Sequence, residues 1–118
     1  MLEIEYNKIF GLMEAYAALG SKERKTLHYL FKMDIFKGSY SQLARQIKMD
    51  AGNLRNTLKY LEALGIVYIC YDESLKYNKM VACFIVYNWM DNLLYQFENG
   101  NIFQEEAQKK AFIKKLKN

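Results

Sequence analysis

The stretch that most constrains this chain is residues 39–67, SYSQLARQIKMDAGNLRNTLKYLEALGIV. Its apolar residues fall at Leu43, Ala44, Ile47, Met49, Leu54, Leu58, Leu61 and Leu64. They are three or four apart within two blocks and out of step near residues 48–50. That spacing gives one apolar stripe to each of two helices, so the stretch predicts two short helices that share a core across a tight turn. The punctuation agrees. Ser39 with Gln42 three residues on makes a capping box. Asp50 can cap the second helix and complements the positive end of its dipole. Gly65 ends that helix, because glycine takes the left-handed conformation cheaply. The outward face of the second helix then carries Asn53, Arg55, Asn56 and Lys59, side chains able to reach base edges and phosphates.

Around this stretch the periods change in order. Residues 3–19 read as a helix with Ile4, Ile9, Phe10, Met13, Tyr16 and Ala17 on a stripe and further apolar residues beside it, so it has apolar surface on more than one face. A second helix begins at Ser21, carries Leu27, Leu30 and Phe31, runs through residues 34–36 and closes at Gly38. After Gly65 the period becomes two: the runs around residues 66–71 and 80–87 flank the polar segment DESLKYNK, which predicts a β-hairpin. Residues 88–97 and 103–116 read as two more helices, separated by the turn signal Asn99, Gly100, Asn101. The expected class is mainly α with a small β-hairpin. The expected organisation is one domain over residues 1–118: an N-terminal helix (1–20), a core (21–87) and C-terminal helices (88–118).

The core positions Leu43, Ala44, Ile47, Met49, Leu54, Leu58, Leu61, Leu64, Gly65, Ile66 and Val67 resemble the helix-turn-helix of winged-helix DNA-binding proteins, MarR-like in the broad sense. The resemblance covers roughly residues 39–87 and has one departure: Lys48 stands in the turn where glycine is frequent. It implies a winged helix-turn-helix, with the hairpin as the wing and the flanking helices building a homodimer through Ile9, Phe10, Met13, Trp89, Leu93, Leu94, Phe97, Phe112, Ile113 and Leu116. It also implies double-stranded DNA as partner, with the second helix entering the major groove by its N-terminal half. There Asn53 and Asn56 have the bidentate chemistry for adenine, and Arg55 and Lys59 that for guanine or phosphate. Small Ala51 and Gly52 allow close approach to the bases. Tyr40, Ser41 and Gln42 open the first helix, whose amides can hold a phosphate. Lys76, Tyr77, Asn78 and Lys79 lie on the later half of the wing loop, clear of Asp72 and Glu73.

Charge is less decisive. The net charge is +4, but residues 105–118 hold five lysines against two glutamates, which leaves only +1 for the rest of the chain. The lysines 109, 110, 114, 115 and 117 read as a solvated helix face, with contact to DNA flanks or to an acidic lipid surface as the alternatives. No run approaches the ~18 apolar residues of a membrane span, and no secretory signal is evident, so a cytoplasmic location without membrane association is expected. His28 stands alone, and Cys70 and Cys83, on opposite strands of the hairpin, have no metal-ligand spacing. They read as reduced core thiols. No phosphate loop or catalytic constellation is present in the sequence, and the expectation is a non-enzyme without cofactor or metal. Most of the ten tyrosines sit at core-like positions, with Tyr40 and Tyr77 the exceptions. The expected function is therefore sequence-specific DNA binding by a dimeric transcriptional regulator. The alternatives are a plasmid or phage replication or partition protein, which the scaffold helix, helix-turn-helix and hairpin distantly resemble, and a winged helix used for protein–protein contact.

Overall fold

Two helices that end in the same way set the centre of the molecule. The structure is a computed structural model that describes residues 3–74 and 79–117, with the side chains from residue 6 onward. The elements in order are α1 (Glu3–Ala18), α2 (Ser21–Met33), β1 (Ile35–Lys37), α3 (Tyr40–Ile47), α4 (Ala51–Ala63), β2 (Val67–Asp72), β3 (Lys79–Ile85), α5 (Trp89–Glu98) and α6 (Glu106–Leu116). Helix α3 starts at the expected capping box, where the Gln42 amide donates to Ser39 Oγ and the Ser39 amide donates to Gln42 Oε1. Helix α4 starts at Asp50, whose carboxylate accepts from the Asn53 amide at 3.1 Å.

At its C-terminus α4 closes on Gly65 at φ 79°: Ile66 N donates to Leu61 O and Gly65 N to Glu62 O. This paired closure satisfies carbonyls that the helix leaves open. Helix α3 closes identically, with Met49 N donating to Ala44 O and Lys48 N to Arg45 O. The left-handed residue there is Lys48, at φ 57° and ψ 52°. The turn thus keeps the shape that glycine favours although lysine occupies it. The two bonds, and the docking of Met49 against the core, hold a conformation that costs a residue with a Cβ about 1 kcal/mol.

The sheet is larger than the expected hairpin. It has three antiparallel strands in the order β1-β3-β2. The expectation that residues 34–36 continue the second helix is corrected: α2 stops at Met33, Asp34 turns the chain at φ 64°, and Ile35, Phe36 and Lys37 pair with Phe84, Cys83 and Ala82. Phe36, Cys83 and Ile69 form a buried row facing the helices. Ile35, Phe84 and Tyr68 form the next row, on the outer face. Cys70 pairs with Ala82 and so lies on the face opposite Cys83. Burial pushes the Cys83 thiol up to about 12, which keeps it protonated.

The buried cluster runs from Ala15 of α1 and Leu19 just after it, through Leu27 and Leu30 of α2 and the predicted stripes of α3 and α4, to the sheet and Leu93 of α5. The C-terminal helices part company: α5 packs on α1, whereas α6 packs on α4. The last helix also begins later than expected, at Glu106, because residues 101–105 run as an irregular strap across α4. No helix among the described residues is long and apolar enough to cross a membrane.

Replacing the left-handed lysine tests this account of the turn. Lys48→Gly is expected to raise the unfolding free energy by about 0.5 kcal/mol, the roughly 1 kcal/mol of relieved strain being partly offset by the freedom glycine adds to the unfolded chain. Urea denaturation would measure it. An unchanged or lower stability would mean that the lysine is not strained there.

Candidate nucleic-acid interface

The outward side of α4 is divided between two fates. Along a helix turning 100° per residue, Arg55, Lys59, Gly52, Asn56 and Asn53 occupy a continuous arc opposite the buried Leu54, Leu58 and Leu61. Over the first two turns this arc is open: Gly52, Asn53, Arg55 and Asn56 are exposed. The Asn53 and Asn56 side chains make no hydrogen bond to another described residue. Ala51 is half-buried, and it and Gly52 keep the helix start slim. Over the last two turns the same arc is covered by α6, so that Tyr60 is buried and Lys59 half-buried.

Two devices hold α6 there. The Tyr60 hydroxyl donates to Asn101 O at 2.6 Å and accepts from Phe103 N at 2.9 Å, pinning the strap before α6. Phe112 meets the Tyr60 ring edge-on, with centroids 6.2 Å apart. Burial pushes the Tyr60 phenol up to about 12. The second device is an ion pair between Lys109 Nζ and Glu23 Oε1, 2.6 Å long, with side chains only 8% and 2% exposed. Gly20, at the start of α2, makes room for it, since a Cβ there would stand 2.8 Å from Glu23 Oε2. The expectation of a solvated lysine face is therefore corrected for Lys109. Lys110, Lys114, Lys115 and Lys117 are exposed.

The remaining candidates separate as follows. Arg55 lies over the Tyr40 ring, 5.3 Å from its centroid, a contact that leaves the guanidinium N–H groups free. Tyr40 is buried, which corrects its reading as an aromatic in a polar context near the DNA face; what it offers there is its backbone amide at the start of α3. Its hydroxyl has no hydrogen bond of good geometry, with the Tyr71 hydroxyl as its polar neighbour. Ser41 is exposed beside it, and Gln42 is exposed but has its amide oxygen committed to the cap. Lys79 is exposed at the foot of β3. Lys76, Tyr77 and Asn78 lie outside the described residues.

A cleft of about 530 Å³ between α4, the hairpin and the end of α6 brings Arg55, Lys59, Lys79 and Lys117 together with Glu62 and Tyr71. Burial raises the Glu62 carboxyl, against the donation from the Tyr71 hydroxyl at 3.4 Å. Burial likewise raises the Tyr71 phenol. Lys117, with Lys110 and Lys114, belongs to the lysine-rich face for which contact with DNA flanks is the alternative to a solvated face; none of the three is among the candidate DNA-binding residues named from the sequence. The available signal was their spacing of four and three, which gives them one helix face.

The candidate dimer residues also divide. Ile9, Phe10, Met13 and Leu116 are exposed, Phe10 and Met13 by 57% and 60%. Leu93 is fully buried in the core of its own chain, a correction to its place on a dimer face. Phe112, Ile113, Phe97 and Trp89 pack against that core as partly buried residues, and Leu94 abuts α1 at Gly11. Four further large apolar side chains, none of them among the candidate dimer residues, are exposed: Tyr6, which stacks on Phe10, and Tyr87, Met90 and Tyr95.

Among the described residues, six helices, a three-stranded antiparallel sheet and a helix-turn-helix whose second helix is partly open define a winged-helix fold. Among solved structures, a point mutant of S. aureus MepR bound to an oligodeoxyribonucleotide shares the fold with a TM-score of 0.51 and 17% identity, over 97% of this chain and 87% of that one. The S. aureus MepR–DNA complex does so with a TM-score of 0.50 and 17% identity, over 95% and 88%. No family model and no curated protein matches the chain.

Two substitutions test how α6 is held. Lys109→Met leaves the Glu23 carboxylate buried without its partner and is expected to cost ~3 kcal/mol, most of it recovered by adding Glu23→Gln. Denaturation of the single and double variants would show it, and no recovery in the double variant would refute the ion-pair account. Tyr60→Phe is expected to cost about 1–3 kcal/mol, because it strands the Phe103 amide. The folded Tyr60 phenol titrates at about 12 against an ordinary 10, so its contribution is complete below pH 10 and lost as pH rises toward 12. The variant should therefore show a shallower alkaline loss of stability across that window, and an unchanged limb would contradict the burial of the phenol.

Proposed function

We propose that the protein is a sequence-specific double-stranded DNA-binding protein acting as a dimeric transcriptional regulator. The observation that carries this is the open N-terminal half of α4, where Asn53 and Asn56 are exposed with no described partner and Arg55 and Lys59 flank them. Free amide side chains at one end of a helix rigidly capped by Asp50 have the geometry of direct readout in a major groove. Arg55, Lys79 and the first amides of α3 at Tyr40 and Ser41 are the phosphate contacts on this reading, with Lys76, Tyr77 and Asn78 of the wing loop beside them. Gln42 contributes through its amide nitrogen. The fold supports the reading: both MepR structures that share it hold DNA.

The 118 residues act as one domain. The exposed apolar side chains of α1 and α5, among them Phe10, Met13 and Met90, are the face through which two copies join. A dimer places two α4 helices on half-sites about one helical turn apart. Such a protein works in the cytoplasm and is not an enzyme.

A gel-shift titration against random duplex and against the gene's own upstream region, at two salt concentrations, tests the reading. The wild type is expected to prefer the upstream region and to weaken with salt. Asn53→Ala with Asn56→Ala should remove most of that preference, while Arg55→Ala with Lys79→Ala should weaken binding to both duplexes. No binding to either duplex at low salt would refute the function.

A further inference from the structure

The basic C-terminal helix does not stand in solvent on a remote side of the molecule. It lies along α4, and Lys110, Lys114 and Lys117 line the trench between the two helices with Asn56 and Lys59. Residues 110, 114 and 117 follow one another at four and three and so share one face of α6. Lys109 and Ile113, on the neighbouring face, dock the helix inward. Lys115 lies on neither of these faces. The trench continues past Lys117 and Lys59 into the cleft that holds Arg55 and Lys79.

Charge in this trench is unbalanced. Lys109 is neutralised by Glu23, and the one glutamate on the trench wall, Glu106, reaches Lys109 at 3.4 Å. Lys59, Lys110, Lys114 and Lys117 face a common channel with no salt bridge to a described residue, and the carboxylate of the adjoining cleft, Glu62, stands near Lys59 and Lys117 only, so the four lysines outnumber it. Like charges gathered this closely repel one another, and a polyanion relieves the repulsion. The helix that carries them is fixed by a buried ion pair and by the Tyr60 hydroxyl, so the lysines are presented at set positions rather than on a loose tail.

We infer that α6 is a further DNA-contacting element, whose Lys110, Lys114 and Lys117, with Lys59, hold the phosphates of the strand flanking the base pairs that face Asn53 and Asn56. The inference rests on the DNA-binding reading of α4 and extends it to a surface continuous with that helix. Contacts of this kind position a protein on the duplex and carry no sequence information. They act on affinity and its salt dependence, and leave the preference between sequences alone.

The test is the slope of log affinity against log salt concentration, measured by fluorescence anisotropy on the full chain with its preferred duplex and with random duplex. Each phosphate contact contributes about 0.9 to the slope, so Lys110→Gln, Lys114→Gln and Lys117→Gln together should lower it by about 2.7 and leave the ratio between the two duplexes unchanged. The exposed side chains can be exchanged without unfolding, which thermal melting of the variant verifies. The single changes Lys114→Gln and Lys115→Gln alter adjacent residues and charge equally. Only the first should lower the slope, by about 0.9. Equal effects of the two would overturn the inference in favour of general charge attraction, and an unchanged slope in the triple variant would overturn it outright. A wild type that binds no duplex would sink the DNA-binding reading and this inference together, whereas failure of the variants alone leaves that reading standing.

Discussion

The hydroxyl of Tyr60 is the point on which the arrangement of the C-terminal third turns. It lies on α4 and is satisfied in both directions by the strap between α5 and α6, donating to Asn101 O and accepting from Phe103 N. Without the strap the hydroxyl would be a buried group with unmet hydrogen bonds, at a cost of about 1–3 kcal/mol. With it, the chain is led across α4, and α6 has nowhere to go but along that helix. Phe112 then closes on the Tyr60 ring and Lys109 reaches the Glu23 carboxylate. The ion pair itself is weak support for net stability, since two charges must leave water to form it. Its effect is selective: only the register of α6 that brings Lys109 to Glu23 leaves neither charge stranded. The same register turns Lys110, Lys114 and Lys117 toward α4.

What was legible in the sequence was what is decided locally. The caps at Ser39 and Asp50 and the stop at Gly65 depend on side chains within three or four residues of the groups they satisfy, so spacing alone reveals them. The turn at Lys48 was visible as a departure, but its outcome depended on the two backbone bonds and on Met49 docking, which outweigh a strain of about 1 kcal/mol. Strand β1 was hidden because Leu27, Leu30, Phe31 and Ile35 continue a helical spacing. Its pairing with residues 82–84 is tertiary, and no local signal announces it. The burial of Tyr40 was hidden likewise, by polar neighbours in sequence that are not its neighbours in space.

The site was legible in part, for the same reason. The free face of Asn53 and Asn56 follows from the periodicity of α4 alone. That α6 covers Tyr60 and leaves those residues open does not, because it depends on Glu23 near one end of the chain and Lys109 near the other. The consequence for charge is large. Counted along the sequence, the lysines of residues 105–118 lie far downstream of a helix-turn-helix whose own balance is near neutral, and spacing alone does not decide between a solvated face and one on the DNA flanks. In space four of them stand beside α4, and three of those, Lys110, Lys114 and Lys117, have no salt bridge to a described residue. Field strength at a surface follows from distance to the charges that share it, not from their order in the chain.

The separation of α5 from α6 also bears on how two faces coexist on so small a molecule. A helix pair that followed the wing together would have to serve one surface. Here α5 returns to α1, closely enough that Leu94 fits against Gly11, and the pair leaves Phe10, Met13 and Met90 outward. Helix α6 takes the other direction, and its apolar residues Phe112 and Ile113 are spent inside the chain on Tyr60 and its surroundings. The exposed apolar residues Phe10, Met13 and Met90 and the exposed lysines of α6 therefore lie on different helix pairs, α1 with α5 and α4 with α6, with Leu116 an exposed apolar residue of the second pair. This division lets an apolar face be covered without enclosing the lysines of α6, whose desolvation unpaired would oppose association; Lys8, on α1, is paired with Asp91 of α5 at 3.3 Å. It also means that a partner on α1 and α5 need not compete for the surface around Asn53, so the two faces can be occupied at the same time.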